Sequence, residues 1–271
     1  MPADPSPSAG LRMTPGAPNV IKLGGSLLED ARRRHAVLAE VAKRRHCGEQ
    51  LVIVHGGGKH IDAELAKLGI AKKTHGGLRI TDDQTLDVVA RVLDTIVNPL
   101  IVAELIALGV NAIGVSGSSM LIAEQHPPID GVALGKVGRV VSANPAPAIA
   151  LLNGGALPVV SCIANAAPHV PQTHAAERGG ATLLNVNADS AAAAVAVALR
   201  AESLQFITDV AGVLDTNGEV VSTLHLAAVE QWISNVSGGM KPKLQAALHA
   251  LQNGVSQIAI GENGGTNLVA A

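Results

Sequence analysis

Residues 51–62 read LVIVHGGGKHID, and an earlier stretch, 20–28, reads VIKLGGSLL. Each is an apolar, β-branched run that stops in glycine and continues with residues of helical period. A strand that ends in a glycine turn before a helix brings backbone N–H groups close to an anion, and the helix N-terminus adds its positive end. Two such turns, with Lys22 at the end of the first strand, predict a phosphate cradle. They suggest an enzyme that moves a phosphoryl group.

Working outward, apolar runs recur at 20–23, 51–54, 112–115, 157–163, 205–208 and 257–260. Between them lie segments of helical period, among them Ala31–Arg45, Ile61–Leu68, Thr85–Leu108 and Ser190–Leu199. This alternation predicts βαβ units and a mainly parallel open sheet with helices on both faces. Segments 71–81 and 129–145 break the pattern with glycine and charge, and read as hairpins projecting from the sheet.

The chain of 271 residues has room for one large α/β domain or two lobes. Aromatic residues are only 1%, so the core must be aliphatic and base stacking on aromatics is nearly excluded. A net charge of −2 argues against a general nucleic-acid partner. No apolar run approaches membrane-spanning length, and the Pro-rich start, residues 1–18, has no signal-peptide core and reads as a disordered tail. Cys47 and Cys162 lie far apart, match no metal spacing, and fit buried free thiols in a reducing cytoplasm.

Several positions carry candidate chemistry, each beside a plainer reading. Lys22 is either a surface lysine or a ligand group at a strand's carboxyl end, where open α/β sheets bind ligands. The three glycines 56–58 are either a turn or, as favoured, a site of close phosphate approach. His55 and His60 share no clean helical face, so a hydrogen-bonded structural histidine is the default and no metal site is expected. Arg79, on the hairpin GGLRIT (76–81), is either a solvated charge or a bidentate clamp for a carboxylate. In LLNVNADS (183–190), Asn185, Asn187 and Asp189 alternate as on a strand, and read either as one polar face of a site or as an Asp N-cap on the alanine-rich helix that follows. Lys241 and Lys243 open a helix after a glycine turn, a place that favours lysine only beside an anion. FITDVAGVLD (206–215) reads as a strand-to-loop junction or as a wall of a nucleotide site. There is no G-x-x-x-x-G-K-[ST], no protein-kinase signature and no G-x-S-x-G elbow.

Taken in order, KLGGSLL (22–28), VIVHGGGKHID (52–62), GLRITDDQT (77–85), NAIGVSG (111–117), LPVVSCI (157–163), LNVNADSAA (184–192), ITDVAGVLD (207–215) and GGMKPKLQAA (238–247) resemble the amino acid kinase family over residues 19–261. NVNAD with GLRIT points to its acetylglutamate kinase branch. The resemblance implies a three-layer αβα sandwich, with residues 19–198 as a substrate-binding and dimerisation lobe and 199–271 as a nucleotide lobe. It implies ATP with Mg²⁺, N-acetyl-L-glutamate as the acid, and its phosphorylation on the side-chain carboxylate in arginine biosynthesis. On this resemblance Lys22 and Lys243 neutralise the phosphoryl group in flight and Asp189 holds them. Gly25 and Gly57 donate N–H groups to phosphate, with Gly24 and Gly58 shaping the turns. Arg79 binds the α-carboxylate and Asn185 the backbone polar groups of the acid, with Gly57 and Gly58 bordering the substrate. Thr208, Asp209, Gly212, Leu214, Gly239, Met240 and Lys243 line the nucleotide. The Pro-rich tail cannot form the continuous helix that interlaces hexameric members, which implies a homodimer without arginine feedback. The stretch 261–271 lacks the usual segment between the last two strands, which bears on the edge of the nucleotide lobe. Relatives acting on acetylated aminoadipate, glutamate or aspartate, and a non-catalytic sensor of the same fold, are the alternatives.

Overall fold

A computed structural model describes residues 16–168, 182–236, 238–261 and 265–269. The reading of residues 1–15 as a tail lies outside these, whereas Pro18 already belongs to the body, its carbonyl accepting the Glu202 N–H at 2.9 Å.

The chain forms β1 (Asn19–Leu23), α1 (Gly25–Glu29), α2 (Ala31–His46), β2 (Leu51–His55), α3 (Gly58–Lys67), β3 (Thr74–His75) and β4 (Leu78–Arg79). Then come α4 (Asp83–Val92), a π-helical turn (Leu93–Val97), α5 (Asn98–Ala107), β5 (Ala112–Val115), β6 (Leu121–Gln125), β7 (Val137–Ala143) and α6 (Ala146–Asn153). The rest is β8 (Leu157–Ser161), β9 (Ile163–Ala166), β10 (Leu183–Val186), α7 (Ala188–Ala198), β11 (Ser203–Ile207), β12 (Thr223–His225), α8 (Leu226–Asn235), α9 (Met240–Gln252), β13 (Gln257–Ile260) and β14 (Thr266–Val269).

The central sheet runs β12-β14-β13-β11-β1-β2-β8-β5. From β13 to β5 every pairing is parallel. These strands are near-continuously apolar because both faces are covered: β2 and β8 are buried at every residue. The protein is thus the three-layer α/β sandwich that the alternation of runs predicts. β1 sits between β2, which follows it in the chain, and β11, which returns from the far half. The order reverses there, and a crevice opens at the strands' carboxyl ends. Lys22 lies at that point.

Segment 85–108 is helical as its period predicts, although Leu93–Val97 widens into a π turn just before Pro99, which has no N–H to give. Three features differ from the sequence reading or refine it. Segment 129–145 does not project alone: β7 pairs antiparallel with β6, and β10-β7-β6-β9 close on themselves. The short C-terminal stretch still completes the sheet, because β14 runs antiparallel to β13 and carries β12 on its other side. Cys162 is buried, but Cys47 is exposed just after α2.

Candidate active site

The first strand delivers Lys22 almost buried, with its Nζ 2.8 Å from Asp189 Oδ1. Asp189 does not sit on the strand with Asn185. β10 ends at Val186, and the chain turns there into α7. Asn187, not Asp189, is the N-cap, its side chain accepting the N–H groups of Asp189 at 2.9 Å and Ser190 at 3.1 Å. That cap leaves the Asp189 carboxylate free in the first turn, pointing under the sheet's switch point. Lys243, from the first turn of α9, meets it from the other side at 3.1 and 3.2 Å. Its Nζ also lies 5.4 Å from the centre of the Phe206 ring, a cation–π contact.

Two ammonium groups thus share one buried carboxylate, leaving one positive charge. Burial works to raise the Asp189 pKa, but Lys22 and Lys243 overcome it and hold the acid below its usual range. Burial and the nearby Lys22 push Lys243 below the usual lysine range, against the pull of Asp189. An arriving anion relieves that tension, so this is a site with an electrostatic vacancy for negative charge.

Beside it is a cavity of about 340 Å³, lined by Lys22, Gly25, Gly58, Arg79, Asn185 and Asn187 among others. The two glycine turns abut in its wall: a Cβ on Gly25 would lie 3.3 Å from the Gly58 nitrogen. The three glycines 56–58 have separate reasons, and close phosphate approach does not account for all of them. A Cβ on Gly56 would sit 3.3 Å from the Ala188 Cβ, and one on Gly57 would come within 2.9 Å of Leu93 Cδ2 in the π turn. Only Gly58 has open space where its side chain would be. Gly24 is tied to the next strand, its N–H donating to the Ile207 carbonyl at 3.1 Å.

Further along the chain, Gly76 and Gly77 both take positive φ, which closes the tight β3–β4 hairpin and places Arg79 on its second strand. Arg79 Nη2 donates to Asp62 Oδ1 and, at 3.3 Å, to the Gly58 carbonyl. Its Nη1 is buried and has no hydrogen-bond partner among the described residues. A buried guanidinium edge left without an acceptor is costly unless a ligand supplies one. Asn185 is set by Thr81, whose Oγ1 accepts from the Asn185 amide at 3.1 Å and donates to the Arg79 carbonyl at 2.8 Å.

Beneath this floor His55 is fully buried and structural, as the default reading holds. Its Nδ1 lies 2.9 Å from the Gly56 carbonyl and its Nε2 3.0 Å from the Asn98 amide nitrogen, which also donates to the Val159 carbonyl. Those partners fit one neutral tautomer, and burial pushes its pKa down to about 4. Burial likewise pushes the Cys162 thiol up to about 12, so it lines the cavity as an inert wall.

The residues expected to line a nucleotide lie outside the lining of that cavity. Thr208 is buried just past β11 and donates to Asp209 Oδ1 at 3.0 Å, and Asp209 is exposed. Gly212 is pressed against β14, where a Cβ would come within 2.6 Å of Thr266 Oγ1, and Leu214 is half exposed. Gly239 caps α9 with open space above it, and Met240 begins the helix. Lys243 is tied through Asp189 to Lys22, which lines the cavity. Among the described residues no three His, Cys, Asp or Glu side chains gather as a metal cage. Asp62, Lys72 and Thr81 were missed by sequence reasoning. Asp62 has a signal, since it stands one helical turn after Gly58, whereas Lys72 has none.

The sequence model of the amino acid kinase family matches residues 18–262. The chain belongs to the amino acid kinase family. Among amino acid kinase relatives, the acetylglutamate kinase of Solibacter usitatus (strain Ellin6076) is 40% identical over 245 residues, which is 89% of each chain. The acetylglutamate kinase of Streptomyces griseus is 39% identical over 246 residues, 87% of this chain and 75% of that protein. Among solved structures, smu.665 from Streptococcus mutans UA159 superposes with a TM-score of 0.80 at 29% identity, covering 93% of this chain and 98% of its own. No helix among the described residues is long and apolar enough to cross a membrane.

Proposed function

We propose that this amino acid kinase transfers the γ-phosphoryl group of ATP to the side-chain carboxylate of N-acetyl-L-glutamate, giving N-acetyl-L-glutamyl 5-phosphate for arginine biosynthesis in the cytoplasm. One observation carries the reading: two cationic side chains line one cavity. Lys22, held together with Lys243 on Asp189, is one of them, and Arg79, whose Nη1 lacks a protein partner among the described residues, is the other. Two such groups on one cavity suit a small acid with two carboxylates. The acetylglutamate kinases, similar along most of the chain, supply the identity of the acid.

The chemistry asks little of the protein beyond placement. The attacking carboxylate is ionised at neutral pH, so no general base is needed. Arg79 and Asn185 hold the α-end of the acid, which aims the distal carboxylate at Lys22. Negative charge on the transferring group is met by Lys22 and Lys243, and Asp189 fixes both ammoniums before the reaction begins. The N–H groups of Gly25 and Gly57 add donors from the two facing turns, while Gly24 and Gly58 keep the turns open. The adenosine side falls to Thr208, Asp209, Gly212, Leu214, Gly239 and Met240, so residues 199–271 act as the nucleotide lobe. Mg²⁺ fits as an ion carried on the ATP phosphates, since Asp189 is committed to two lysines and no acidic cage is present among the described residues. Bound there, it would supply positive charge to the triphosphate.

A homodimer belongs to the same proposal. β5 is the last strand of the sheet, and Ile113 on it, with Ile96 and Ile106 nearby in the chain, is an exposed large hydrophobic. Light scattering that gives a monomer at micromolar concentration removes this part.

The test of function is trapping of acyl phosphate by hydroxylamine with Mg-ATP and acetylglutamate, glutamate, acetylaspartate or acetylaminoadipate. Hydroxamate from acetylglutamate alone is expected. Hydroxamate from another acid moves the substrate and keeps the mechanism. None from any acid, with ATP bound, replaces the enzyme by a sensor.

A further inference from the structure

Asp62 has no part in the chemistry above, yet both of its oxygens are used. It stands on α3 one turn beyond Gly58, facing the β3–β4 hairpin. Oδ1 takes Arg79 from the hairpin's second strand, and Oδ2 takes Lys72 at 2.8 Å from just before its first strand. One carboxylate therefore fastens both feet of the hairpin to the helix that follows the glycine turn. The hairpin needs that fastening. It has only two paired positions, Thr74 with Arg79 and His75 with Leu78, and so short a ribbon is not stable alone. Its base is held separately, where the Thr81 N–H donates to the Leu134 carbonyl and the Thr81 carbonyl accepts from Lys136. Arg79 lies beyond that base.

We infer that Asp62 is a positioning residue for the acid substrate: by engaging Nη2 of Arg79 and sharing its second oxygen with Lys72, it fixes the Arg79 guanidinium in the cavity wall with Nη1 left without a protein acceptor among the described residues. The inference rests on the proposed function for the identity of the acid, but not for the geometry. Burial opposes ionisation of Asp62, but Lys72 and Arg79 overcome it and hold its pKa below the usual carboxylate range, so the clasp is closed at neutral pH.

Charge and position make opposite predictions, which makes the role testable. Asp62→Asn removes a negative charge from beside a carboxylate site. If only net charge matters, acetylglutamate binds more tightly. If Asp62 aims Arg79, it binds more weakly.

Calorimetric titration of acetylglutamate and, separately, of Mg-ATP into wild type, Asp62→Asn and Asp62→Glu decides between them, with turnover measured in parallel. The expected result is about a tenfold or greater loss of acetylglutamate affinity in Asp62→Asn. Asp62→Glu should recover part of it, while Mg-ATP affinity and kcat at saturating acid stay near wild type. Unchanged or tighter acetylglutamate binding overturns the inference, as does a parallel fall in ATP affinity, kcat and thermal midpoint, the pattern of mere structural damage. A wild type that binds acetylglutamate but transfers no phosphoryl group overturns the proposed reaction, and the affinity of Asp62→Asn still decides this inference. A wild type that does not bind acetylglutamate overturns both.

Discussion

In one cluster Asp189 lies between Lys22 and Lys243; in the other Asp62 lies between Arg79 and Lys72. The charge pattern is the same, a carboxylate shared by two cations with one positive charge left over, but the foundations differ. The Lys22, Asp189 and Lys243 side chains are 9%, 8% and 6% exposed and rise from a central strand and two helix starts. Lys72 is 52% exposed, and Arg79 rides on a two-residue strand. A buried, pre-set cluster suits charge that develops only in the transition state, where reorganisation would cost rate. A cluster carried on a two-residue strand, with Arg79 11% and Asp62 23% exposed but Lys72 open to solvent, suits a charge that must arrive, be recognised and leave. The comparison implies that damage at the Asp189 cluster appears in kcat and damage at the Asp62 cluster in substrate binding.

The largest effect tests the first half of that statement. Lys22→Ala removes one of the two ammoniums at the point of transfer, and donors of this kind contribute about 3–4 kcal/mol, a loss of about 10²–10³ in kcat. Acetylglutamate affinity, set at the other cluster, should change little, and β1 should fold, since its neighbours on both sides are intact. Turnover near wild type, measured with saturating substrates, removes Lys22 from the mechanism.

The glycines separate scaffold from ligand within a single turn. Gly57→Ala forces a Cβ against Leu93 Cδ2, at 2.9 Å, and Val97 Cγ2, at 3.2 Å, and overpacking of this kind costs up to about 3 kcal/mol. Gly58→Ala meets nothing in the protein and begins a helix, where alanine is favoured over glycine. Urea unfolding should show the first variant destabilised and the second not, while acetylglutamate binding should weaken in the second. Equal stability of the two variants contradicts this division.

The buried part of the site also carries a pH signature. His55 titrates at about 4 in the fold against 6.5 unperturbed. Below pH 6.5 the unfolded chain takes up a proton that the folded chain refuses, so stability falls as pH drops from 6.5 towards 4. From pH 7 to pH 5 this amounts to roughly 2 kcal/mol. His55→Gln should be less stable at pH 7 but lose less on acidification. An identical pH slope in the two proteins shows that His55 is not held neutral.

What could be read from the chain follows the same division. The buried cluster was legible because its parts are contiguous: an apolar run, a lysine and a glycine turn are neighbours in sequence, and parallel strands announce themselves by unbroken β-branched residues. The central sheet, from β13 to β5, was recoverable for that reason. Asp189 was found as part of a polar cluster but placed on the wrong element, because Asn-x-Asn-x-Asp alternates like a strand while Asn187 in fact stops the strand and caps the helix. The four-strand ring stayed hidden, since β10, only four residues long, pairs with β7 over a long separation in the chain. Asp62 and Lys72 were missed because their partnership exists only after the hairpin folds back on α3. The reason for Gly57 was missed because it lies in Leu93 and Val97, far along the chain.

The smallest expected effect bears most directly on the hairpin cluster. Arg79→Lys keeps the positive charge and loses the planar fork. A lysine ammonium placed here can meet Asp62 or the substrate carboxylate, but it lacks the second edge that a guanidinium keeps when Nη2 is on Asp62 and Nη1 is unpaired. If the site recognised charge alone, the substitution would be nearly silent. If it recognises a carboxylate through a guanidinium already clasped on its other edge, affinity for acetylglutamate should fall by about tenfold, about 1.4 kcal/mol, with kcat largely retained. Placing Arg79→Lys in the Asp62→Asn background sharpens the point. Two residues acting through one another should give a combined loss well short of the sum of the separate losses, because the second substitution removes an orientation already lost. Fully additive losses would mean that Arg79 and Asp62 serve the substrate independently, and the contrast between a pre-set cluster and a clasped one would then fail at the clasp.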